Sequence, residues 1–242
     1  MSRLILYLFS LFCFIFGAKS NPNSIIVPCK INDEECMTKS ANIAARLIGK
    51  GVPSLGIEST DPIKIDLLDI KLPTIQLTYK ETTIKGYSKC EVQNVKFNMD
   101  ALKLKFDLKC PSLEVIGHYV VSGDLLSLPL EGQGPCKTTT GTFLIRIDAD
   151  LKRVTGDDGK TYLAIKKFKQ VSEALEPVKF QYDNLFNGQK ELSDAAHAFA
   201  HEHYKEVMAL FQDPIQDANF KYLSKCINQL LKTTPIDDLF IH

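Results

Sequence analysis

From residue 63 to residue 183 the chain reads as strand and turn throughout, and this is the feature that most restricts its fold. Apolar residues recur there with a period of two, and no helical stretch is long enough to cross between parallel strands. Parallel neighbours need such a crossover, so the sheet is expected to be antiparallel.

Ile63, Ile65 and Leu67 alternate with charged residues, as Ile75, Leu77 and Tyr79 do with Gln76 and Thr78. Residues 84 to 98 and 102 to 110 read as a hairpin. Its second strand puts Leu102, Leu104, Phe106 and Leu108 on one face and Lys103, Lys105, Asp107 and Lys109 on the other. The lysine row is read as a solvated strand face rather than a surface for anionic membrane. The apolar stretch 113 to 130 is interrupted at Gly117, Gly123 and Pro129, where a strongly bent sheet can kink. Phe143, Ile145, Ile147, Ala149 and Leu151 alternate strictly, and Asp158-Gly159 marks a turn into a strand from 162 to about 168.

Helical signals flank this region. Residues 38 to 50 read as a short helix with Thr38 as amino cap, Ile43, Leu47 and Ile48 as a partial apolar stripe, and Gly49 and Gly51 as the stop. Leu192, Ala195, Ala196, Phe199, His203, Val207 and Leu210 share one stripe at 3.6 residues per turn, which puts His197, His201 and Lys205 towards solvent. Pro214 is expected to break or kink that helix, with Phe220, Leu223, Ile227 and Leu231 restarting the stripe beyond it.

The amino end reads as a secretory signal peptide, residues 1 to 20: Arg3 precedes an uncharged run from Leu4 to Phe16, and Ala18-Lys19-Ser20 offers the small residues of a cleavage site. That run is too short to span a bilayer. The single domain expected is then residues 21 to 242. The 242-residue chain has 29 basic and 29 acidic side chains, so it lacks the basic field that binding nucleic acid requires. Six cysteines follow the signal peptide, an even number in a secreted chain, which favours disulfides. Cys29 and Cys36 would close a small loop. Cys90 and Cys110 sit near opposite ends of the hairpin, but pairing Phe97 with Leu104 and Val95 with Phe106 turns Cys90 to the other face unless a bulge intervenes. That pairing stays open, as does one between Cys136 and Cys226.

Catalytic signatures are missing. The chain has neither a Gly-x-Ser-x-Gly elbow nor a His-Glu-x-x-His pair. His197 and His201 stand four apart, but no carboxylate or cysteine at ligand spacing accompanies them, so no metal and no cofactor is expected. What remains is an excess of apolar faces on a kinked sheet and a long helix. These can form a solid core, or they can enclose space for an elongated apolar ligand, and periodicity is the same for both.

Particular residues add to this. Cys29-x6-Cys36, Gly51-Val52-Pro53-Ser54-Leu55-Gly56-Ile57 and Asp61-Pro62-Ile63 resemble the amino end of the insect takeout and juvenile-hormone-binding protein family. In order, Ile84-Lys85-Gly86-Tyr87, Gly117-x-Tyr119, Gly123-x-Leu125, Leu128-Pro129-Leu130-x-Gly132-x-Gly134, Phe180, Asn184-Leu185-Phe186-Asn187-Gly188 and Leu239-Phe240 are similar to its recurring blocks. The segment before the long helix looks more like takeout than the hemolymph hormone carriers. Those carriers resemble one another in a second disulfide from a strand to the long helix, and Leu192 to Leu210 holds no cysteine here.

The resemblance implies an α+β fold in which a strongly curved antiparallel sheet wraps a long carboxyl-terminal helix and encloses an apolar tunnel. It implies a secreted, monomeric, non-enzymatic carrier of juvenile hormone or another terpenoid or fatty molecule, of the kind linked to feeding, circadian output and chemosensation. Tunnel positions chosen by inward parity are Leu47, Ile75, Leu77, Phe97, Leu104, Phe106, Tyr119, Phe143, Ile145, Ile147, Phe180, Phe199 and Leu210, with Tyr119 able to offer a hydroxyl. The alternative is a signalling or membrane-surface protein that uses the same fold to meet a receptor or bilayer without cargo.

Overall fold

A computed structural model describes residues 25–241; the expected signal peptide lies outside them. In chain order the elements are α1 (Glu34–Lys50), β1 (Ile63–Lys71), β2 (Ile75–Lys85), β3 (Glu91–Asn98), β4 (Lys103–Cys110), β5 (Glu114–Leu125), β6 (Leu128–Thr140), β7 (Phe143–Thr155), β8 (Thr161–Ala174), β9 (Val178–Tyr182), α2 (Lys190–Glu202), α3 (Tyr204–Leu231) and α4 (Ile236–Leu239). The strands form two sheets, in the orders β1-β2-β5-β6-β9 and β3-β4-β7-β8, and every pair within them is antiparallel. The long helix α3 packs against this sheet structure, as the alternating pattern and the carboxyl-terminal stripe together require.

The hairpin read from 84 to 110 starts later than expected. Residues up to Lys85 belong to β2 in the first sheet, Tyr87–Lys89 form a short 3-10 turn, and β3 opens the second sheet at Glu91. Within β3 and β4, Phe97 stands opposite Leu104 as expected. Gln93 then faces Asp107 and Lys96 faces Lys105, so Asn94 and Val95 together oppose the single residue Phe106. Asn94 takes a left-handed φ of 53°. This bulge reverses the parity of the strand, so Cys90 faces Cys110 and the two form a disulfide. Cys29 and Cys36 form the other. Cys136 and Cys226 remain free and buried, and burial pushes the Cys136 thiol up to about 12.

Close strand approach accounts for Gly123 in β5. It has φ 125°, and a side chain there would bring Cβ within 2.2 Å of the Thr74 carbonyl oxygen. The strand expected from 162 to about 168 continues to Ala174, because it pairs with β7 all the way to Phe143.

Two helix readings are corrected. The first helix begins at Glu34, not at 38: Asp33 Oδ1 accepts the Cys36 N–H at 2.9 Å and so caps it, while the Thr38 hydroxyl accepts the backbone N–H of Val95. Ile43 and Leu47 are exposed and Ile48 is buried, because the helix turns its alanines 41, 44 and 45 inward. In the carboxyl half the break falls at His203 (φ −103°, ψ 33°), and Pro214 lies inside α3 without ending it. Packing holds the helix across the proline: Phe211 and Gln216 are buried, and Gln212 Nε2 donates to the Ser172 carbonyl at 2.9 Å. The break at His203 also shifts the phase of the stripe, so that Ala196, Ala200, Val207, Met208 and Phe211 are buried while Leu192 is exposed.

Helices α1, α2 and α3 each cover an edge of a sheet with side chains that imitate a neighbouring strand. Asn42 of α1 accepts the Val92 N–H at 2.9 Å and donates to the Val92 carbonyl at 2.7 Å, along β3. Asn228 of α3 accepts the Ile165 N–H at 2.7 Å on β8. His197 and His201 of α2 were expected on the solvent side; His201 is exposed and His197 half-buried, and they accept the N–H groups of Phe180 and Tyr182 on β9, each at 3.0 Å. Unpaired edge groups would otherwise have to be met by water or by another chain. No helix among the described residues is long and apolar enough to cross a membrane.

Candidate functional site: two apolar cavities

The sheets and helices do not close on one another completely. One cavity, of about 100 Å³, lies between the first sheet, α2 and the amino-terminal half of α3, with walls that include Leu77, Leu125, Phe180, Ala196, Met208 and Phe211. A second, of about 250 Å³, lies between the second sheet, α1 and the carboxyl-terminal half of α3, with Ala41, Ala45, Val95, Phe106, Leu223 and Phe240 among its walls. Both are well above the ~10–15 Å³ that one water needs. No Asp, Glu, Lys or Arg among the described residues lines either of them. They are called the α2 cavity and the α1 cavity below.

The two walls arise differently. In the α1 cavity the small residues Ala41, Ala44 and Ala45 leave room that larger side chains would fill. Opposite them Phe220 stacks edge-on against Phe168 at 4.4 Å and tilts against Phe106 at 6.2 Å, fixing the aromatic side of the chamber. In the α2 cavity the polar wall groups are tied to one another. The Tyr79 and Tyr182 hydroxyls are 2.5 Å apart, and the Thr138 hydroxyl is 3.2 Å from Tyr182. Burial, with the neighbouring Cys136, pushes the Tyr182 phenol up to about 12, and burial holds Tyr79 well above the ordinary tyrosine value.

Between the cavities lies a buried polar bridge. Tyr87, on the wall of the α1 cavity, donates its hydroxyl to Gln216 Oε1 at 2.9 Å and accepts from Asn219 Nδ2 at 3.1 Å. Gln216 and Asn219 belong to α3 and stand on the wall of the α2 cavity.

The residues singled out from sequence fall into three groups. Leu77, Phe143 and Phe180 line the α2 cavity, and Phe97, Leu104 and Phe106 line the α1 cavity. Ile75, Tyr119, Ile145 and Ile147 are buried in the core away from both walls. The Tyr119 hydroxyl donates to the Asp183 carbonyl at 2.8 Å, a bond within the fold. Leu47 is 36% exposed, Leu210 is partly buried off the walls, and Phe199 packs its ring 4.5 Å from that of His203. Sequence reasoning took Leu47 as the contribution of α1 and missed Ala41, Ala44 and Ala45, although with Ile48 they recur at helical spacing, and it missed Asn219 and the Tyr87 hydroxyl.

Comparison with known proteins agrees with this architecture. The circadian clock-controlled protein daywake of Drosophila melanogaster is 26% identical over 230 residues, covering 88% of this chain and 85% of its own. Its Drosophila yakuba namesake is 24% identical over 230 residues with the same coverage. The crystal structure of Epiphyas postvittana Takeout 1 aligns with a TM-score of 0.83 at 28% identity, over 89% of this chain and 99% of that one. The sequence profile described as haemolymph juvenile hormone binding protein matches residues 6–241. The chain therefore belongs to the haemolymph juvenile hormone binding protein family.

Proposed function

We propose that this protein is a secreted carrier that reversibly binds one elongated, uncharged hydrophobic molecule, a juvenile hormone, another terpenoid or a fatty compound, in its internal cavities. The observation that carries the reading is the absence of Asp, Glu, Lys and Arg from the walls of both cavities among the described residues. An ionised group would lose its hydration there without a partner, whereas an apolar chain gains about 0.8 kcal/mol for each methylene it buries. About ten to fifteen carbons then offset the ordering cost of association. Binding of this kind needs no bond to be made or broken.

Family membership, the two disulfides and the amino-terminal sequence support export, with cleavage after Ser20. The test is organic extraction of protein secreted from insect cells, followed by mass spectrometry and amino-terminal sequencing. About one neutral lipid per chain and a start at Asn21 are expected. Protein that yields no extractable molecule and fails to bind N-phenyl-1-naphthylamine would refute carriage and favour the receptor- or membrane-contact alternative.

A further inference from the structure

Five buried side-chain atoms among the described residues have no hydrogen-bond partner: Thr82 Oγ1, Asp148 Oδ1, Gln170 Oε1, Ser172 Oγ and Asn219 Oδ1. Of these residues, only Asn219 stands on a cavity wall. Its side chain is 1% exposed, and its Nδ2 is committed to Tyr87. Several other polar atoms around the same cavity have partners within the protein. Thr140 Oγ1 accepts from Leu113 N, Gln216 Oε1 accepts from Tyr87, and Gln212 Nε2 donates to Ser172 O. Tyr79, Tyr182 and Thr138 bond to one another, and His197 Nε2 accepts from Tyr182 N.

An acceptor buried without a donor is costly, and where its residue belongs to the wall of an apolar cavity, a small movement of the amide lets a ligand supply what the protein lacks. The Asn219 amide is also held in place. The Tyr87 hydroxyl has one proton and gives it to Gln216, so it can only accept from Asn219 Nδ2, which leaves Oδ1 as the free pole of the amide. Burial raises the Tyr87 pKa, so the phenol keeps that proton.

From this geometry we infer that Asn219 is a head-group subsite that accepts a hydrogen bond from a hydroxyl of the cargo. This deepens the carrier reading above and rests on it. The ligand class is thereby narrowed to neutral lipids bearing an alcohol, with the hydroxyl held at the bridge between the cavities and the apolar chain on the cavity walls. A carboxylate is disfavoured: it would set an anionic acceptor against Oδ1, and neither Lys nor Arg lines either cavity among the described residues. Gln216 and Tyr87 serve as positioning residues, since they act on the ligand only by fixing the amide.

The test is competition for bound N-phenyl-1-naphthylamine by 1-dodecanol and by its methyl ether, which has the same chain and an acceptor oxygen but no donor. The ether is the more hydrophobic of the two, so partitioning alone would favour it. The unmodified protein should prefer the alcohol by about tenfold, and Asn219→Leu should abolish the preference while the dye still binds. Equal competition, or preference for the ether, overturns the subsite and leaves the carrier reading standing; it needs only the unmodified protein, so it holds even if the variant folds poorly. A preference for alcohol that survives in a folded Asn219→Leu variant likewise overturns the assignment. If the unmodified protein does not bind the dye and neither compound binds in calorimetry, carriage fails and the subsite fails with it.

Discussion

The Nε2 atom of His197 lies 3.0 Å from the backbone nitrogen of Tyr182 and accepts its proton. One turn further along α2, His201 does the same for Phe180. The match is geometric: residues four apart on a helix rise about 6 Å, and residues two apart on a strand rise about 6.7 Å. The imidazoles thus complete the ladder of β9 as a further strand would, and they fasten α2 over the cavity that Ala196 and Ala200 line. His197→Ala leaves the Tyr182 N–H without its acceptor and should cost about 1–2 kcal/mol of stability. Hydrogen exchange should quicken in β9 and α2 and not in β4. Unchanged protection at Tyr182 would show that the helix is held by packing alone.

Ala45 offers a test in which stability and binding move in opposite directions. Ala45→Leu places extra carbons in the α1 cavity, which should raise the stability of the empty protein by about 1–2 kcal/mol. It should also weaken N-phenyl-1-naphthylamine severalfold. A rise in Tm with unaltered dye affinity would move the bound dye elsewhere.

The Cys90–Cys110 disulfide closes a loop with a sequence separation of 20 across the bulged hairpin. The double substitution to alanine should cost about 3 kcal/mol in chemical denaturation through the freed unfolded chain. A loss under 1 kcal/mol would mean that the β3–β4 ladder alone constrains this segment.

Asp61 gives the pH dependence. Its carboxylate accepts the backbone N–H groups of Gly86 and Ser88, each at 3.0 Å, and the Ser88 hydroxyl. Burial opposes ionisation, but these donors outweigh it and hold the folded pKa below the usual aspartate value. A depressed acid adds stability that is fully present above its unfolded pKa, near 3.9, and is lost as pH falls through the folded value. Asp61→Asn should therefore destabilise the protein by about 1–2 kcal/mol at pH 7, discounted for partial exposure. Once the pH lies below the folded value it should matter little. An equal deficit at both pH values would assign the effect to packing.

Much of the sheet was legible because alternation is a local signal: each of Phe143, Ile145 and Ile147 announces its face with no knowledge of what lies opposite. What lies opposite decides function, and that was not legible. These three share one face of β7, yet only Phe143 reaches a cavity wall, and no property of the residues themselves separates them. The resemblance pointed to a hollow interior where periodicity could not. The bulge at Asn94 was equally hidden, since an asparagine with φ 53° looks in sequence like any polar residue on a strand. The histidines were half legible: the stripe turns them towards water, where His201 is exposed, but their bonds to the edge of β9 join residues that only the fold brings together.

Asn42, Asn228 and the two histidines have one more consequence. A chain this rich in extended structure could grow by stacking copies of itself side by side, as fibrils do. Three of its four lateral margins are stoppered by amide or imidazole groups of its own helices. The molecule can therefore be concentrated in a fluid without seeding assembly from those margins.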